Sequence, residues 1–120
     1  MVLECTIPRL LGGLENAWRL RKGNSMPAYF IVDLEVTDPA GFEEYRQLVP
    51  ATVQQYGGRF VVRGGATETL EGDWQPKRVV VTEFPSLEQA RRWYNSEEYR
   101  GPKALRFKTA KSKMILVEGV

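Results

Sequence analysis

From residue 28 the chain alternates with period two. Phe30, Val32, Leu34 and Val36 project to one side, while Tyr29, Ile31, Asp33 and Glu35 project to the other, which predicts a half-buried strand over Ala28 to Val36. Asp38-Pro39 then supplies an N-cap followed by proline at the first helical position. Phe42, Tyr45, Val49, Val53 and Tyr56 recur at spacings of three and four, the period of an amphipathic helix. Pro50 inside that pattern is expected to kink or divide the helix, and Gly57-Gly58 to end it.

Arg59 to Phe84 reads as a β-hairpin. The β-branched runs Phe60-Val61-Val62 and Val79-Val80-Val81-Thr82 flank a middle rich in turn residues, with Gly64-Gly65 free to bend and Glu71-Gly72-Asp73 at the tip. Ser86 with Gln89 three residues on is a capping box. It opens a helix with Leu87, Ala90, Trp93 and Tyr94 inward. Ser96 with Glu97 and Glu98 starts a further helical turn, Gly101-Pro102 is expected to interrupt it, and Lys103 to Lys108 to resume. Ser112 to Val120 closes the chain as a strand.

The order is therefore βαββαβ, an α+β ferredoxin-like arrangement with a four-stranded antiparallel sheet of order 4-1-3-2 and two helices on one face. The other face carries Ile31, Val79 and Val81 beside Asp33, Glu35 and Glu83. A soluble monomer would leave it wet, so the expectation is a homodimer that pairs the open faces as a dimeric α/β barrel, with the hairpin tip near Trp74 reaching the partner.

Residues 1–25 look different. Ile7, Leu10, Leu11, Leu14 and Trp18 are interrupted by Pro8 and Gly12-Gly13, with neither the continuous apolar core of a secretory signal nor a period continuous with the domain. The reading is an N-terminal extension, disordered or translated upstream of a natural start at Met26, ahead of one domain over residues 26–120. A short docking arm using Leu14 and Trp18 is the rival.

Composition narrows the chemistry. The chain has no histidine and one cysteine, Cys5. That removes Ser-His and Cys-His nucleophile pairs, His-ligated zinc or haem, and an intramolecular disulfide. No metal site and no cofactor are implied, and the lone cysteine suits a cytoplasmic location. The net charge of +2 falls wholly in residues 1–25, so the remainder is neutral, a poor nucleic-acid binder. No apolar run is long enough to span a membrane.

Three groups of residues remain as candidates. Asp33, Glu83 and Arg63 share one sheet face if strand parity is unbroken, and would form a polar catalytic or ligand-orienting row, or else an ion network at the dimer interface. Tyr45, Trp93, Tyr94 and Tyr99 suit an apolar pocket with polar tips, or core packing. Arg100, Lys103, Arg106, Lys108, Lys111 and Lys113 form a basic run suited to a carboxylate or phosphate, or a solvated surface. The ligand-binding set expected from these is Tyr45, Arg63, Glu83, Tyr94, Tyr99 and Arg106.

The stretches AYFIVDLEVTDPAGFEEY, YGGRFVVRGG, LEGDWQPKRVVVTEFPS, AxxWYNSEEY and KALR resemble the Domain of Unknown Function 1330 family within the dimeric α/β-barrel superfamily. The resemblance covers Met26 to Val120 and implies a homodimeric ferredoxin-like domain. The wider superfamily includes cofactor-independent monooxygenases, small-molecule isomerases and haem enzymes, and members that rely on a histidine are no model for this chain. Two functional classes follow: a small-molecule enzyme of the monooxygenase or isomerase type working without a cofactor, or a non-catalytic metabolite-binding or accessory dimer.

Overall fold

The computed structural model describes residues 26–120; the expectations for residues 1–25 lie outside the described residues. The elements are β1 (Ala28–Val36), α1 (Pro39–Gln55), β2 (Arg59–Arg63), β3 (Val79–Phe84), α2 (Leu87–Tyr94), α3 (Glu97–Thr109) and β4 (Ala110–Glu118). The sheet is antiparallel with order β2-β3-β1-β4. It is the predicted ferredoxin-like order, and β1 is central because its alternating pattern buries one face along its whole length.

The three helix starts read from the sequence, at Asp38, Ser86 and Ser96, are capped as expected. The Asp38 side chain accepts from the Gly41 amide, and Ser86 accepts from the Gln89 amide. Gly57, at φ 81°, follows α1 in the left-handed region where glycine is unstrained. Two proline expectations need correction. α1 runs unbroken through Pro50, and α3 runs unbroken through Gly101-Pro102. The division falls earlier, at Asn95-Ser96, where the Ser96 hydroxyl accepts from the Tyr99 amide and starts α3 afresh. Pro102 then sacrifices one backbone hydrogen bond, while burial of Tyr99, Arg106 and Thr109 on the inner stripe holds the helix together.

The core lies between the helices and the sheet. Phe30, Val32 and Leu34 of β1 and Phe84 of β3 meet Phe42, Tyr45, Val49 and Val53 of α1 with Trp93 and Tyr99. Aromatic contacts dominate. Trp93 stacks on Tyr99 with centroids 3.9 Å apart and also meets Phe30 and Phe84, each at 5.3 Å. The Trp93 indole donates to the Thr52 hydroxyl at 3.0 Å, which donates to the Val49 carbonyl. Burying a large aromatic stabilises by its area, and the partnered indole N–H removes the cost of desolvating it.

The opposite face of the sheet is open. Register places Ile31 beside Val81 and Ile115, and Tyr29 beside Glu83 and Val117. Ile115 is 60% exposed and Val117 41%. Past β2 the chain forms a long arm, Gly64 to Arg78, whose Trp74 returns to this face. The Trp74 indole and the amides of Lys77 and Arg78 all donate to the Asp33 carboxylate, at 3.1, 2.9 and 3.2 Å. No helix among the described residues is long and apolar enough to cross a membrane.

Candidate functional site

Strand parity decides which side chains meet. Arg59 pairs with Glu83 and Phe60 with Thr82, but then Val62 pairs with Val81 and Arg63 with Val80, because the ladder is irregular between Phe60 and Val62. The extra residue of this bulge flips everything after it. Arg63 therefore lies on the helix side of the sheet, and Glu83 on the open side. The expected row of Asp33, Glu83 and Arg63 does not form. Glu83 instead accepts from Arg59 Nε at 2.7 Å and from the Tyr29 hydroxyl at 3.1 Å.

Asp33 anchors the arm. Burial works to raise its pKa, but the hydrogen bonds from Trp74, Arg78 and Lys77, aided by Lys113, outweigh it and hold the carboxyl below its ordinary value. Asp33→Ala should leave the part-buried Arg78 amide without its acceptor, while the exposed Lys77 amide turns to water, and cost about 0.5–1.5 kcal/mol at neutral pH. Since the folded-state pKa is lowered, this stabilisation is present above the unfolded pKa and lost as pH falls through the folded one. Melting curves of the two proteins should therefore be well separated at pH 7 and converge in acid.

On the helix side, α1, β1, β2, β3, Trp93 and Arg106 enclose a cavity of ~40 Å3. Its walls include Phe30, Val32, Phe42, Phe60, Val80 and Met114, and no carboxylate lines it. Its charged groups are Arg46, Arg63, Arg78 and Arg106. Arg63 donates to the Arg46 carbonyl at 2.9 Å and lies over the Phe60 ring at 4.5 Å; Arg78 lies over Phe42 at 5.5 Å. Burial first, and then the guanidinium groups of Arg46 and Arg78, push the Arg63 pKa below its ordinary value. At neutral pH it stays charged, so the cations share one end of the cavity at a cost.

Arg106 is the most buried of them, 2% exposed. Its Nε donates to the Tyr99 hydroxyl at 3.2 Å and its Nη1 to the Ser112 hydroxyl at 2.7 Å, while no protein group among the described residues partners the buried Nη2. The Tyr99 and Tyr45 hydroxyls are 2.9 Å apart. Burial, then the neighbouring Tyr99 hydroxyl, pushes the Tyr45 phenol well above its ordinary pKa. Tyr45 is thus a neutral hydrogen-bonding group near pH 7, not a base.

Of the expected ligand-binding residues, Tyr45, Arg63 and Arg106 line this cavity and Tyr99 supports it. Glu83 faces away. Tyr94 packs on Phe30 and receives Lys103 over its ring at 4.0 Å, bordering a separate surface hollow with Arg91 and Ile115. Within the basic run, Arg106 alone is buried; Arg100, Lys108, Lys111 and Lys113 are exposed. Arg46 and Arg78 were missed. Arg78 had a signal, since it continues the inward parity of Val80, Thr82 and Phe84. A wider, open hollow of about 790 Å3 lies on the other face between Trp74, Asp33, Lys111 and Lys113. Of its polar groups, Asp33 anchors the arm, Ser112 accepts from Arg106, and Glu35, Asp73, Gln75 and the lysines are exposed. Among the described residues no group of three or more metal-ligating side chains converges.

The model of the Domain of unknown function (DUF1330) family matches residues 27–120. The chain belongs to this family. Solved structures agree on the fold of this DUF1330 domain. It is similar to the RPA0582 protein of Rhodopseudomonas palustris, described as of unknown function, with a TM-score of 0.66 at 17% identity, covering 88% of this chain and 92% of that one. A second crystal structure, of methylated RPA0582 protein, gives 0.66 at 16% identity, with 88% and 90% covered. SnoaB of Streptomyces nogalater, described as a cofactor-independent oxygenase, gives 0.56 at 17% identity, with 80% and 95% covered. No curated protein matches the chain. At these identities the structures establish the α+β fold.

Proposed function

We propose that this DUF1330 domain is a cytoplasmic homodimer that binds a small organic molecule in the cavity between its helices and its sheet. The supporting observation is the cavity itself: a mostly apolar enclosure lined by a buried arginine that carries an unpartnered nitrogen. Small-molecule sites combine such apolar walls with a few placed polar groups. The described cavity has room for a small polar group or a few waters, about 10–15 Å3 being enough for one. A larger ligand has to leave past Arg63, whose side chain reaches solvent.

Binding without turnover is favoured over proton-transfer chemistry. No carboxylate lines the cavity and Tyr45 is shifted away from ionisation, so no lining group is poised to take a proton near neutral pH. The likeness to SnoaB raises cofactor-independent oxygenation as the second reading, in which the residues would position a substrate that itself reacts with oxygen. Oxygen uptake by the purified protein with a bound ligand tests it.

Native mass spectrometry of the protein purified from cells is expected to show up to one small molecule retained per protomer. Val80→Phe, which fills the cavity from a half-buried lining position, should eliminate it while leaving the dimer intact. Retention unaffected by Val80→Phe, or a wild-type protein that carries and binds nothing, contradicts the reading.

A further inference from the structure

We infer that the cavity is a carboxylate site, in which Arg106 Nη2 and Arg46 Nε receive the carboxylate of a small organic acid and the aromatic and aliphatic walls receive its short apolar body. This rests on the preceding reading of the cavity as the binding site and specifies its ligand.

Buried polar nitrogens are nearly always hydrogen-bonded, and a buried guanidinium is ordinarily paired with an acid. Arg106 breaks both expectations. Two of its nitrogens are held by neutral hydroxyls, those of Tyr99 and Ser112, so the side chain is fixed in place while its charge meets no acid among the described residues, only the Phe107 ring at 4.9 Å. The third, Nη2, is buried and unpartnered. Arg46 on the facing helix shares the unpartnered nitrogen, although the rest of its guanidinium is half-exposed and ion-paired. Its Nη1 reaches outward to Glu43 at 3.0 Å, whereas its Nε is buried without a partner. Both arginines line the same cavity, and among the described residues these two are the buried side-chain nitrogen or oxygen atoms without a hydrogen bond. Arg63 and Arg78 add positive charge to the same walls.

Such a cavity attracts an anion, and its walls select which kind. Two donor groups on separate guanidinium planes match the two oxygens of a carboxylate, with charge-assisted bonds that are shorter and stronger than neutral ones. Apart from Arg63 and Arg78, whose guanidinium groups lie over the Phe60 and Phe42 rings, the remaining surface is mostly apolar, with Phe30, Val32, Val80 and Trp93, which suits an acid carrying a carbon body better than the all-oxygen surface of a phosphate. The volume limits the fully enclosed part of the ligand to about the carboxylate, with the carbon body lying along the apolar wall toward the exposed Arg63.

The test compares isobutyrate with its neutral isostere isobutyramide, and with inorganic phosphate, on the full chain at constant ionic strength. Affinities come from saturation-transfer NMR. Isobutyrate should bind at least tenfold more tightly than isobutyramide. Arg106→Met and Arg46→Met should each remove that preference, weakening isobutyrate binding by more than isobutyramide binding. Without ligand, Arg106→Met should melt at or above the wild-type temperature, because replacing a buried unpaired charge by an apolar side chain relieves desolvation; a purely structural arginine would instead lower it. Equal binding of acid and amide, or a preference that survives both substitutions, overturns the inference. Phosphate displacing isobutyrate at equal concentration overturns the carboxylate assignment. Binding of the amide alone removes the acid and leaves the cavity as the site. Failure of both probes, with nothing retained in native mass spectrometry, removes both readings, and a retained molecule that proves uncharged overturns the acid.

Discussion

Trp93→Ala is expected to destabilise the protein by about 3–5 kcal/mol. Trp93 is 3% exposed, stacks on Tyr99, and fills the space between Phe30 of β1 and Phe84 of β3. Truncation removes that buried area, leaves a void that the aromatic neighbours close only partly, and removes the indole N–H bond to the Thr52 hydroxyl, which keeps only its bond to the Val49 carbonyl. For a domain of this size the loss lowers the melting midpoint by roughly 10–25 °C. Trp93→Phe retains most of the packing and should lose less than half as much. A melting midpoint for Trp93→Ala within a few degrees of wild type would show that the described core is wrong around α2.

The second large effect concerns assembly. The open sheet face places Ile31, Val81 and Ile115 in one apolar row across three strands, flanked by Asp33 and Glu35 on β1 and by Lys111 and Lys113 on β4. A second copy related by a twofold axis offers the same apolar centre and both signs of charge at the rim, so the surface is complementary to itself. Light scattering at micromolar concentration is therefore expected to give twice the 13.7 kDa chain mass. The double substitution Ile31→Lys with Val81→Lys puts four like charges at the centre of the pair and should give a monomer. These side chains point away from the core, so the circular dichroism spectrum should be retained. A wild-type monomer, or a double variant that stays dimeric, means that this face is not the interface.

The parts of the fold that the sequence revealed are those written in side-chain periodicity. β1 and β3 show their inward and outward faces residue by residue, and the caps at Asp38 and Ser86 mark where period two gives way to period 3.6. What it concealed was backbone geometry. The bulge at Val61-Val62 has no signature in a run of valines, yet it moves Arg63 from the face of Glu83 to the face of Tyr45 and dissolves the expected acidic row. The prolines misled in the opposite direction. If Gly101-Pro102 ends a helix, the seven-residue spacing from Tyr99 to Arg106 carries no information and Arg106 merges into a solvated basic run. In an unbroken α3 the same spacing is two turns, which puts Arg106 directly in line with Tyr99 on the buried stripe. Arg46 was hidden for another reason: its charged end reaches solvent while its Nε does not, a division within one side chain that no residue-level pattern records.

Trp93 and Trp74 lie on opposite sides of the sheet, Trp93 on the wall of the helix-side cavity and Trp74 above the open face, and each donates its indole N–H to an assigned partner. A proton–nitrogen NMR titration of the 15N-labelled protein with isobutyrate therefore reads the two faces separately. A saturable shift of the Trp93 indole resonance is expected with the Trp74 resonance unmoved; a shift of Trp74 alone, or none in either, would contradict carboxylate binding in the helix-side cavity.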